Sequence, residues 1–204
     1  MEDLPISVLE PSRDRSRKAA RARSQTSRTL SVGEVMILNE ARRAAASRGY
    51  PLAHLLTCKP YHLPDDRSRL EFWRRERNWL RTTLARAGIP DVGAWTWEAK
   101  TDGSDAHVHM MLYLPTEAGP QLSALVRDRS PSQAIRRADG RRRSTVMHLT
   151  AFDNPDACFR YIAKQANPKA SRIFRIRRQP GVHPVEWPRF GFSKQLLDLI
   201  VGPL

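Results

Sequence analysis

The chain has 204 residues and a formal net charge of +14, from 35 Lys and Arg against 21 Asp and Glu. One domain of this size buries a substantial core, and the excess of positive charge points to a polyanionic partner, either nucleic acid or an anionic membrane surface. The longest apolar runs fall far short of the roughly 20 residues that span a bilayer, and Cys58 and Cys158 fit neither a zinc-ligand spacing nor a secreted disulfide framework, so reduced thiols in a cytoplasm are expected, without a membrane.

Residues 1–30 read as a basic arm carrying Arg13, Arg15, Arg17, Lys18, Arg21 and Arg23. It has no apolar stretch to offset its ordering entropy or to act as a signal peptide. It is expected to be disordered ahead of a domain at 31–204, either as a contact for nucleic acid or as a solubilising tail. Ser31 can cap a helix over 32–47, with Val35, Leu38, Ala41 and Ala45 as a modest stripe suited to the periphery. Residues 52–59 read as a strand. Its His54 is either a fourth neighbour of a metal or a ring packed in the sheet. Asp65 or Asp66 starts a long helix to about residue 87, with Leu70, Trp73, Leu80 and Leu84 buried and Gly88 and Pro90 as stop signals. Its other face carries Arg67, Arg69, Arg74, Arg75, Arg81 and Arg86, which suits either a solvated surface or a track for DNA.

A short helix is predicted at 118–128 and a further strand, bearing His148, at 145–151. Between them Arg136, Arg137, Arg141, Arg142 and Arg143 flank Gly140, a loop composed to grip phosphates. Downstream, Arg172, Arg175, Arg177 and Arg178 are interleaved with Ile173, Phe174 and Ile176, which suits a strand with arginines on one face. Residues 194–201 predict a last amphipathic helix. With strands at 94–100 and 106–114 and a helix at 154–167, the order predicts an α+β fold: a central antiparallel sheet with helices packed mainly on one face.

Residues 94–115 carry the chemistry. Ala-Trp-Thr-Trp-Glu-Ala-Lys, a polar Thr-Asp-Gly-Ser-Asp turn and Ala-His-Val-His-Met-Met-Leu-Tyr-Leu-Pro together read as a β-hairpin. Residues two apart in a strand share a face. His107 and His109 therefore point one way, and Val108, Met110, Leu112 and Leu114 point the other. In the partner strand Thr96 and Glu98 share one face, and Trp95 and Trp97 the other. A loop at 101–104 or 102–105 sets Glu98 opposite His107 or His109, within roughly 5 Å. One carboxylate and two imidazoles on one face make a three-ligand site for a divalent cation with open positions remaining. A cupin would instead place a glutamate after the His-x-His, and residues 110–114 supply none.

A second motif is Cys158-Phe159-Arg160-Tyr161-Ile162-Ala163-Lys164-Gln165, in a helix that Asp153 or Asn154 can cap with Pro155 at its first position. Tyr161 and Lys164 then lie one turn apart on one face. A phenol beside an ammonium suits attack on a phosphodiester, because the cation favours the phenolate and offsets phosphate charge.

Taken together, His-Val-His before an aliphatic strand, the upstream Glu98 and the downstream Tyr-Ile-Ala-Lys resemble the HUH endonuclease superfamily, and most closely its single-tyrosine rolling-circle replication initiators. His54-Leu55-Leu56-Thr57 fits the family's first motif, a strand ending in Thr, in position and order. The end of the chain, with Arg189, Gly191 and Ser193, resembles an Arg-x-Gly-x-Ser segment of such domains. The resemblance spans about residues 50–167. It implies that His107, His109 and Glu98 bind Mn²⁺ or Mg²⁺, that Tyr161 is the nucleophile and that Lys164 assists it.

The activity implied is site-specific nicking and joining of single-stranded origin DNA through a 5′-phosphotyrosine intermediate, which initiates rolling-circle replication of a plasmid or phage. No Gly-x-x-x-x-Gly-Lys-Ser/Thr motif is present, so unwinding would fall to a host helicase. The alternatives are a non-catalytic nucleic-acid-binding module, with the histidines as mere decoration of the sheet, and a transposase of the same superfamily.

Overall fold

A computed structural model of the chain describes residues 29–60, 63, 65–98, 106–129, 147–177 and 190–201. Arg136, Arg137, Arg141, Arg142, Arg143, Arg178, the hairpin loop and residues 1–28 of the predicted arm lie outside the described residues. The elements run α1 (Val32–Ser47), β1 (His54–Cys58), α2 (Asp66–Arg86), β2 (Gly93–Glu98), β3 (His107–Leu112), α3 (Ala118–Arg129), β4 (Met147–Ala151), α4 (Pro155–Ile162), α5 (Pro168–Ile173), β5 (Phe190–Phe192) and α6 (Lys194–Val201).

Short polar residues set the helix starts, because a side-chain oxygen satisfies an otherwise orphaned first-turn N–H. Ser31 accepts from Glu34 N while Glu34 reaches back to Ser31 N, a complete capping box on α1. Asp65 caps α2 by accepting from Ser68 N. Asn154 and Asn167 each cap a helix whose first residue is proline. One expectation is overturned: the predicted helix over 154–167 is shorter, and a separate helix follows it. The first closes at Ile162, and Pro168, which cannot continue a helix upstream of itself, opens the second.

The sheet has five strands in the order β4-β1-β3-β2-β5, and every pairing is antiparallel, so the α+β class holds. Among the described residues helices lie on both faces, four of the six on one of them. Alternation sends Leu56, Cys58, Trp97, Val108, Met110, Leu112 and Met147 into a core under α2 and α3, where Trp73, Leu80, Leu84, Leu122 and Val126 meet them. Leu55, Ala94 and Met111 face the other way, into a second core with α1, α4, α5 and α6. The stripe Val35, Leu38, Ala41 and Ala45 is wholly buried there, so α1 is a core helix and not a peripheral one. Leu30, assigned above to the arm, is buried too and bridges Ala166.

The predicted arginine strand at 172–178 does not form. Arg172 lies in the last turn of α5, and Arg175 has φ 51, a left-handed conformation. Ile176 N donates to Ser171 O at 2.9 Å. This is a helix-terminating motif whose turning residue is usually glycine, and Arg172, Arg175 and Arg177 are all exposed around it. Phe190–Phe192 forms an edge strand that the sequence reading missed. Gly191 is required there, because a Cβ would stand 2.3 Å from Cζ2 of Trp95. Ser193 is buried. Its hydroxyl accepts from Gly93 N at 3.0 Å and from Leu196 N at 3.2 Å, tying β5 and α6 to β2.

Arg175→Gly should raise stability by about 1 kcal/mol, since glycine adopts the left-handed conformation without the Cβ clash. Urea unfolding checks this, and an unchanged or lower midpoint would count against the strain.

Candidate metal centre

Residues directly opposite in an antiparallel pair share a face. The register pairs Thr57 with both His109 and His148, and Thr96 with both His109 and Phe190, giving one transverse row across all five strands. One step towards the hairpin turn, Glu98 stands opposite His107. This is the pairing a 101–104 loop predicts. Glu98 Oε2 lies 3.0 Å from His109 Nε2 and 3.5 Å from His107 Nε2, and the two Nε2 atoms are 3.0 Å apart. Among the described residues, Glu98, His107 and His109 form the group whose ligand atoms could hold a metal ion.

The donor set fits a cation. Ligands about 2.1 Å from a common metal at right angles are separated by roughly 3 Å, close to the three spacings here. Two imidazoles and a carboxylate on one side leave the other positions open.

The electrostatics favour that state. Burial alone would raise the Glu98 carboxyl, but the imidazoles of His107 and His109 beside it outweigh that and hold the group well below the usual carboxylate range. Burial lowers His109 to about 4, outweighing the opposing pull of Glu98, so its imidazole is neutral near pH 7. Thr57 Oγ1 lies 3.0 Å from His109 Nδ1. A hydroxyl accepting from Nδ1–H leaves the Nε2 lone pair facing Glu98 and His107, as metal ligation needs. In that arrangement Thr57 would position the His109 ring. The sequence held its signal, a strand ending in Thr, but not its task.

The second motif meets the first. The helix α4 ends before Lys164, whose N–H donates to Tyr161 O at 3.3 Å in the closing turn. The buried Lys164 Nζ is 2.9 Å from Glu98 Oε2 and 3.3 Å from His109 Nε2. It also sits 4.1 Å from the centre of the Tyr161 ring. That ring stands edge-on to His109 with centroids 5.0 Å apart, and Tyr161 remains 38% exposed. Thr96 Oγ1 donates to Ile162 O at 3.2 Å, fixing the end of α4 to β2.

Other candidates fall elsewhere. His54 is on the opposite face of β1, beside Gly119 of α3, with its Nδ1 buried and without a hydrogen-bond partner among the described residues, and burial lowers its pKa. It is not a ligand of this centre. His148 shares the face but lies two strands away, exposed and within 2.9 Å of Thr150 Oγ1. Comparison with known proteins gives no significant match to a family model, a curated protein or a solved structure.

Thr57→Val keeps the volume and removes the hydroxyl, so Mn²⁺ affinity should fall roughly 10- to 100-fold. Calorimetric titration reads it, and wild-type affinity would remove Thr57 from the centre. Metal-free stability should also depend on pH through His109. Its folded pKa, about 4, lies below the ordinary 6.5, so the unfolded chain takes up the proton first. Stability is full above pH 6.5 and is lost as pH falls towards 4. The Glu98 contribution disappears only below its ordinary 4.5. Urea midpoints in EDTA between pH 7 and 5 should fall more for the wild type than for His109→Asn, and parallel curves would contradict the assignment.

Proposed function

We propose that the chain is a metal-dependent nuclease of the HUH type, which nicks and rejoins single-stranded DNA with Tyr161 as nucleophile, as a rolling-circle replication initiator does. One observation carries this reading. Tyr161 and Lys164, more than fifty residues downstream of the hairpin histidines, converge on the Glu98–His107–His109 cluster. Local sequence does not impose that convergence, and a phosphoryl-transfer site needs it.

Glu98, His107 and His109 would hold Mn²⁺ or Mg²⁺, which when bound supplies Lewis-acid polarisation of the scissile phosphate. Two imidazoles suit Mn²⁺ better than Mg²⁺, which prefers oxygen ligands. The Tyr161 oxygen attacks phosphorus and the phenol proton passes to solvent; the bond to the 3′ oxygen breaks and that oxygen takes a proton from solvent, giving a 5′-phosphotyrosine and a free 3′-OH. Lys164, buried between Glu98 and the ring of Tyr161, offsets negative charge as it develops. The phosphotyrosine retains the phosphodiester's free energy, so a later 3′-OH can reverse the step and join ends. Exposed Arg172, Arg175 and Arg177 would contact the strand's phosphates.

A non-catalytic reading has one observation in its favour. Lys164 Nζ, 2.9 Å from Glu98 Oε2, can itself compensate the carboxylate charge, as it would in a purely structural network.

Incubation with labelled single-stranded origin DNA and Mn²⁺ should give a covalent adduct on a denaturing gel. Tyr161→Phe should abolish the adduct while leaving DNA binding nearly intact. His107→Ala or His109→Ala should lose both metal affinity and adduct, and Glu98→Gln should keep partial activity at high Mn²⁺. Absence of any wild-type adduct favours the binding module. An adduct that persists in Tyr161→Phe and maps to another residue refutes the nucleophile.

A further inference from the structure

A groove lies on the sheet face opposite the metal centre, between α2, the Trp95 face of β2 and the start of α6. It has a volume of about 460 Å³, within the range of small-molecule sites. Arg74, Arg77 and Arg81 line it along one stripe of α2, and Lys194 faces it from the first residue of α6. These four cations meet one carboxylate, Asp91, which is already bound by Arg77 Nη2 at 2.6 and 2.8 Å.

Arg77 is largely buried and adds its positive charge beside the exposed Arg74 and Arg81. The start of α6 adds the positive end of a helix dipole. The wall is aromatic. Trp95 is half-buried, lies over Gly191, and has the Arg77 guanidinium 5.9 Å from its ring centre, and Trp73 packs against it with ring centres 6.0 Å apart.

An anion-seeking stripe beside exposed indole surface matches a ligand that is itself part phosphate and part aromatic ring. We propose that this groove is a second binding site and that it takes a nucleoside phosphate, with the phosphate on Arg74 and Arg81 and the base against Trp95. The ligand is either a free nucleotide or one unit of a single strand. The assignment does not depend on the metal centre, because the two sites use opposite faces of β2.

The test is fluorescence anisotropy of a labelled twelve-residue oligothymidylate with the full chain in EDTA, over a range of NaCl concentrations. Arg74→Ala/Arg81→Ala should weaken binding roughly tenfold, equivalent to about 1.4 kcal/mol, and make the log–log salt slope shallower by about 1.4, for two phosphate contacts on a single strand. Lys194→Gln should act in the same direction. Arg43→Ala/Arg48→Ala, which removes equal charge from exposed positions outside the groove, should change little. Competition by thymidine monophosphate supports a free-nucleotide site, and its failure to compete, with the groove variants still weak, supports a strand. Equal losses in both double variants, or no binding by the wild type, overturn the proposal. Inorganic phosphate competing as well as thymidine monophosphate overturns the nucleoside assignment. EDTA removes the metal-dependent chemistry, so failure here is distinct from failure of the nuclease reading.

Discussion

The register between β2 and β3 is the constraint on which the metal centre depends. A slip of one residue would turn Glu98 or the two histidines to the opposite face. Packing on both faces prevents it. Trp97, Val108, Met110 and Leu112 fill the core under α2 and α3, and Ala94 and Met111 fill the other. The polar cluster contributes little to its own placement. It occupies the end of a sheet whose apolar residues have already fixed the pairing.

That placement has an electrostatic consequence. Glu98, His109 and Lys164 are largely withdrawn from water, and each is stable there because the others satisfy it. Removing one partner leaves an uncompensated charge in a poorly solvated setting, which is worse than never burying the group. The break after Ile162 matters for the same reason. It lets Lys164 turn inwards over the Tyr161 ring while Tyr161 keeps access to solvent. A buried cation and a more accessible phenol thus stand side by side.

The two faces of β2 divide the chemistry. Thr96 and Glu98 serve the metal face, and Trp95 and Trp97 the groove. Single alternation along six residues gives each side its character, apolar and aromatic against acidic and hydrogen-bonding. Gly191 and Ser193, noted first as part of a terminal motif, hold the edge of this strand, one by admitting the Trp95 ring and the other by bonding to Gly93.

The sequence alone determined what depends on short-range periodicity. Alternation put His107 and His109 on one face, turn composition set Glu98 against them, and the capping residues located α1 and α2 to within a residue. It could not supply interactions between residues distant in the chain. The row joining Thr57 to His109, the arrival of Lys164 at Glu98, the exclusion of His54 and the meeting of Arg77 with Trp95 all follow from strand order and helix docking. The predicted strand of arginines failed for the same reason. Its alternation was real, but a strand needs a neighbour with free backbone groups, and the chain there closes the end of α5 instead. Local pattern fixes which way a side chain points from its own element, and only the packed sheet decides what it points at.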